Sequence, residues 1–192
     1  MKKVIAAAIL ALIPGSGWTQ GTVDFRNGGI TFPTDADRRV YGRNGPLTGT
    51  TFVAGLWYLP GADRGGQMGS ATQVGRTFAF RPDTTSLKGY WVQPAGVSPI
   101  FTFPDVAVGN AATLQVRVWD FAKFNSWEAA VAGGQYGDSA PFNYIVPAAG
   151  STPDKYYMDN LRAFYSPALP EPSAIVLGLL CGAAGWLFLR RR

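Results

Sequence analysis

No histidine occurs anywhere in the 192 residues, and the single cysteine, Cys181, sits near the carboxyl end. Lacking histidine, the chain has no access to the commonest general base, to Ser-His or Cys-His nucleophile pairs, or to any His-containing zinc site. One cysteine cannot close an intrachain disulfide, so stability has to come from an apolar core. Charge is sparse as well, with 17 Lys and Arg against 12 Asp and Glu. Lys2 and Lys3 lie at one end and Arg190, Arg191 and Arg192 at the other, leaving 12 basic residues to balance the 12 acidic ones. The formal charge of +5 therefore belongs to the ends, and nucleic-acid binding is not expected of the neutral portion between them.

With histidine and a usable cysteine missing, a metal would need oxygen ligands alone, which points to calcium. Asp35 and Asp37 are the nearest pair, but Arg38 and Arg39 adjoin them and no repeated acidic ligands follow. No metal and no cofactor is expected. Asp120, Glu128 and Asp138 are the closest carboxylates for glycosidic-bond chemistry, at a spacing that diagnoses nothing. Glu128 is better explained as a helix-capping partner and Asp120 as a strand-to-turn residue. No catalytic activity is expected.

The ends carry clearer signals. Lys2-Lys3, the apolar run Val4 to Ile13 and the Pro14-Gly15-Ser16-Gly17 break read as a secretory signal peptide over residues 1–19. Small residues at Gly17 and Thr19 suit cleavage before Gln20, with a cut after Gly17 as the other candidate. Ten apolar residues are few for a spanning helix, so retention as an anchor is the lesser alternative. At the other end, residues 174–189 contain no charge and end at Arg190-Arg191-Arg192. Sixteen residues at about 1.5 Å each give roughly 24 Å, enough to cross a thin bilayer with help from snorkelling arginines. The terminal arginines hold that end in the cytoplasm and place the preceding residues on the far side. A buried carboxyl-terminal helix is the alternative. Pro167, Pro170 and Pro172 make residues 166–173 an extended linker.

Pro170-Glu171-Pro172-Ser173, the short apolar helix and the terminal arginines together resemble the PEP-CTERM sorting signal of exopolysaccharide-producing Gram-negative bacteria. That resemblance implies an exosortase as processing partner, cleavage near the Pro-Glu-Pro segment, and delivery to the cell surface or extracellular matrix. Pro170, Glu171 and Pro172 would then be substrate for that enzyme, and Arg190 to Arg192 its cytoplasmic stop. Segments Gly21 to Asn27, Val40 to Gly49, Val116 to Asp120 and Ser126 to Ala130 look like blocks in uncharacterised exported PEP-CTERM proteins, which supply no activity to carry over.

Residues 20–165 are rich in Gly, Pro, Thr, Val and aromatics, with turn formers at short intervals, which predicts an all-β exported domain. Strands are expected at 21–27, 50–58, 76–80, 90–93, 99–103, 112–119, 142–146 and 156–164. Leu114, Val116 and Val118 alternate with Gln115, Arg117 and Trp119, the period of a sheet with one face on a core. Two packed sheets follow as the expected architecture, a β-sandwich of jelly-roll-like or immunoglobulin-like topology between which the pattern does not choose. One short helix is expected after that strand, with Asn125 as cap, Glu128 as its partner and Gly133 as its end.

Aromatic side chains are the remaining lead toward a ligand. Trp57, Tyr58, Trp91, Trp119 and Trp127 are the candidate carbohydrate-binding residues, since exposed rings stack on the C–H faces of sugars. The competing role is core packing, and Trp119 in particular is expected to lie beneath the Trp127 helix. Two functional readings therefore stand: an exported surface or matrix protein defined by its sorting signal, and a carbohydrate-binding module holding secreted polysaccharide.

Overall fold

Glycine, proline and asparagine clusters interrupt every apolar run of the chain, and the strands between them are correspondingly short. The computed structural model describes residues 20–28, 32, 34–84, 86–147 and 157–166. These form an all-β architecture with one short α-helix and one 3-10 helix. The predicted signal peptide at 1–19, the motif Pro170-Glu171-Pro172, the apolar segment 174–189 and Arg190 to Arg192 lie outside the described residues. Among the described residues, no helix is long and apolar enough to cross a membrane.

The main sheet is built around two long strands, β4 (Phe52–Pro60) and β7 (Ala111–Asp120). They pair antiparallel along their whole length, from Phe52 opposite Asp120 to Pro60 opposite Ala112. Strand β5 (Thr72–Ala79) adds to the far side of β4. Along the far side of β7, β9 (Phe142–Ile145) pairs with its first half and β8 (Tyr136–Asp138) with its second. A two-stranded ribbon of β1 (Gln20–Asp24) and β6 (Ile100–Ala107) is separate. A third small sheet joins β10 (Phe164–Tyr165), parallel, to β2 (Val40–Gly42), which forms a hairpin with β3 (Gly45–Pro46). Helix α1 (Trp127–Ala132) follows β7, and the 3-10 helix Gly65–Ser70 follows β4.

The period-two pattern decides which side of the main sheet each side chain enters. Ala54, Leu56 and Tyr58 of β4 and Leu114, Val116 and Val118 of β7 join the larger core, together with Val74 and Phe78 of β5. The β1–β6 ribbon closes that core with Phe101 and Phe103. Phe25 stacks on Trp91 at 4.8 Å between ring centres, and Tyr58 meets Phe103 at 4.8 Å. Each such buried ring contributes roughly 2–3 kcal/mol of burial, which is how the fold holds without disulfides. The register of β5 on β4 shifts between Ala54 and Leu56, so three residues of β5 face a single residue of β4. Gly75 lies in that bulge at φ +67°, and a Cβ there would come within 2.5 Å of the Phe101 ring. Only glycine meets both demands.

Several expectations change. The second face of β7 is not half-exposed: Gln115, Arg117 and Trp119 are buried too, because α1 and the 3-10 helix cover them. The segment 90–93 is no strand. Trp91 makes one isolated bridge to Phe80, and its backbone N–H instead donates to the Asn27 side chain. Residues 157–163 turn rather than extend, since Met158 and Leu161 are both fully buried three apart and the Leu161 N–H bonds the Met158 carbonyl. The helix cap is Ser126, whose hydroxyl accepts from the Ala129 N–H, one residue later than expected. Gly133 closes the helix as expected. Ser166, assigned from sequence to the linker, is buried and donates its N–H to the Tyr41 carbonyl at 2.7 Å.

Candidate functional site

All five candidate binding aromatics are buried, so none stands as an exposed platform. Tyr58 and Trp91 belong to the larger core. The Tyr58 hydroxyl donates to Asp105 at 2.7 Å, and burial together with that bond pushes its pKa well above the usual phenol value. The Trp91 indole N–H donates to the Phe25 carbonyl. Both rings have their polar atoms spent inside the fold, which leaves them no ligand-facing chemistry.

Trp57, Trp119 and Trp127 converge on the opposite side of the main sheet. Their ring centres lie 5.9–6.2 Å apart, tilted or edge-on. Trp119 thus packs under Trp127, as its position in the strand implied, and its indole N–H donates to the Phe124 carbonyl. Beneath the cluster runs Arg117, 7% exposed, with its guanidinium 4.8 Å from the Trp57 ring centre and 5.1 Å from that of Trp127. It donates to the Gln115 side chain and to the Met68 carbonyl, tying the 3-10 helix to the sheet. Gln115 in turn donates to Asp138 at 2.8 Å. Burial lowers the Arg117 pKa, opposed by the charges of Asp138 and Glu128. Burial raises the Asp138 pKa, opposed by Arg117.

Above these rings lies an open groove of about 440 Å³. The three tryptophans form its floor. Gly55 makes room for one of them, because a Cβ there would sit 2.7 Å from the Trp57 ring. Phe121, 52% exposed, stands on the groove wall. Its position is fixed by the turn that ends β7: the Phe121 N–H donates to the Thr51 carbonyl, and Asp120 accepts from the Ala122 N–H. Gln73, Thr77, Asn125 and Glu128 supply the polar lining. Sequence reasoning missed Phe121; the available signal was a large apolar residue placed directly after the last residue of the clearest strand. It also missed Arg117, a charge inside that strand's apolar alternation.

The remaining sequence candidates do not assemble. Asp37 is engaged by Arg39 at 2.9 Å and by the Tyr41 hydroxyl at 2.6 Å. Partial burial pushes its pKa up, but those bonds outweigh it and hold the carboxyl at about 2. Among the described residues no group of three or more potential metal ligands comes together, Asp35 and Asp37 included. Asp120 pairs with Lys123 and Asp138 with Gln115, while Glu128 lines the groove. The sorting residues Pro170, Glu171, Pro172 and Arg190 to Arg192 fall outside the described residues.

A search of protein-family models, of curated proteins and of solved structures finds no match to this chain.

Proposed function

We propose that this chain is an exported surface or extracellular-matrix protein, directed by a PEP-CTERM-type signal and processed by an exosortase. The observation that carries the reading is the order of three parts at the carboxyl end: Pro170-Glu171-Pro172, the uncharged segment 174–189, and Arg190-Arg191-Arg192. The signal-peptide pattern at 1–19 supports it independently. The Pro-Glu-Pro motif begins four residues after Ser166, where the described fold ends.

In this reading the all-β part is cargo without catalytic activity, held before processing as an inner-membrane precursor. Its finer architecture is a two-layer β-sandwich, with the main sheet as one layer and the β1–β6 ribbon as the other. Contacts of Phe101 with Phe78 and of Phe103 with Tyr58 between those layers support that description.

The test compares wild type with a deletion of residues 170–192 expressed in an exosortase-positive bacterium, following cell fraction and carboxyl-terminal mass. Wild type should reach the surface or medium without Arg190 to Arg192, and the deletion should stay unsorted. Surface protein that still carries the three arginines would sink the processing step.

A further inference from the structure

We propose that the groove over Trp57, Trp119 and Trp127 binds a neutral oligosaccharide, with Phe121 as its stacking platform. This site is independent of the sorting signal. Sugar recognition needs an apolar surface for the C–H face and side chains able to donate and accept toward paired hydroxyls. Phe121 offers the first, with half its surface open and its backbone pinned at Thr51. The three largely buried indoles line the groove beside it.

The second need is met by Gln73, Thr77, Asn125 and Glu128. The amides of Gln73 and Asn125 each carry donor and acceptor atoms, and Glu128 accepts from two hydroxyls. Among the described residues, the Gln73 and Asn125 side chains make no hydrogen bond within the fold, so their capacity is available to a ligand. They belong to different elements, β5 and the turn before α1, and both line the groove. A surface needed only for packing would have no use for this arrangement.

Charge selects the class of sugar. Among the described residues that line the groove, Glu128 is the one ionisable side chain, and no lysine or arginine is among them. Arg117 lies below the rings and is already engaged with Gln115 and Met68. Uronates, sulfated glycans and phosphorylated sugars would meet a carboxylate without a compensating cation. A neutral chain meets no such cost. The groove is also open, which suits an internal stretch of polysaccharide better than a single enclosed monosaccharide.

The experiment is a titration of the full-length protein, in a sugar-free zwitterionic detergent, with cellohexaose, laminarihexaose, mannohexaose and hexagalacturonate. Tryptophan fluorescence, to which the three groove indoles contribute alongside Trp18, Trp91 and Trp186, follows binding, and calorimetry gives the affinity. At least one neutral hexasaccharide should bind saturably and hexagalacturonate should not. Phe121→Ala, at an exposed position, should weaken binding roughly five- to tenfold with an unchanged thermal midpoint. Asn125→Ala supplies a second variant on the opposite chemistry and should also weaken it. Absence of binding by all three neutral probes, equal binding of hexagalacturonate, or wild-type affinity in both variants would overturn the proposal.

Discussion

The guanidinium carbon of Arg117 lies 4.8 Å from the centre of the Trp57 ring, on the sheet face that also carries Gln115, Trp119 and Val53. Arg117 spends its charge on two rings and on acceptors from Gln115 and the 3-10 helix. Replacing it by alanine removes these contacts and leaves the Met68 carbonyl with the Ala71 N–H as its one remaining donor among the described residues. The expected loss is about 2–4 kcal/mol in denaturant unfolding. Arg117→Met keeps the aliphatic stem between the rings and should cost less than the alanine variant. Equal losses in the two variants would mean that packing of the stem contributes nothing.

Gly75 and Gly96 separate strain from overlap. Both have positive φ, +67° and +74°, but a Cβ at Gly96 would meet nothing within 4 Å whereas at Gly75 it meets Phe101. Gly96→Ala should cost about 1 kcal/mol from backbone strain alone. Gly75→Ala should cost at least about 1–3 kcal/mol more, because the β6 ring must move. Thermal unfolding of the two variants side by side decides the matter, and similar midpoints would refute a tight β5–β6 contact.

Asn27 is a buried amide that donates to the carbonyls of Arg38 and Gly89 and accepts from the Trp91 N–H. Asn27→Asp keeps the shape but sets a carboxylate against two carbonyl oxygens. The variant should lose about 3 kcal/mol near neutral pH. Its folded-state pKa is raised, so stability relative to wild type should recover as pH falls and the acid regains a donor. A deficit that did not shrink on acidification would count against this assignment.

Asp37 gives the opposite sign. Its folded pKa, at about 2, is below that of an unfolded aspartate, so its contribution is present above roughly pH 4 and fades as pH falls toward 2. Asp37→Asn should be less stable than wild type at pH 6, with the gap closing by pH 2. Since the pair is solvent-exposed the gap is small, and salt should reduce it further. Equilibrium unfolding at both pH values provides the check.

How much of this could be read in the chain depends on where the partner of each residue lies. Leu114, Val116 and Val118 announce their shared face because the information is local to one strand. The burial of Gln115, Arg117 and Trp119 comes from a helix and a 3-10 turn folded over them, which no alternation pattern within β7 encodes. Strands β2, β3 and β8 carry no signal in the sequence because each is two or three residues long, and β10 keeps only Phe164 of the strand expected at 156–164. Trp91 shows the reverse error, a β-prone residue whose N–H is taken by a side chain 64 positions away. For the candidate site, three of the five aromatics named from sequence do come together, but as a floor, and the exposed ring is Phe121.

The parallel pairing of β10 with β2 sets a condition on the order of events in the life of the chain. Strand β2 has its β3 neighbour within the same hairpin, but its other edge pairs with Phe164 and Tyr165, so a polypeptide emerging amino terminus first must hold that edge open until almost all of the described fold has appeared. The β1–β6 ribbon imposes a similar wait, from Gln20 to Ala107. Such distant closures are slow to find, and neither can form before its later strand has been made. A chain built on this plan closes its outer edges last, with the arrival of residues 164–166.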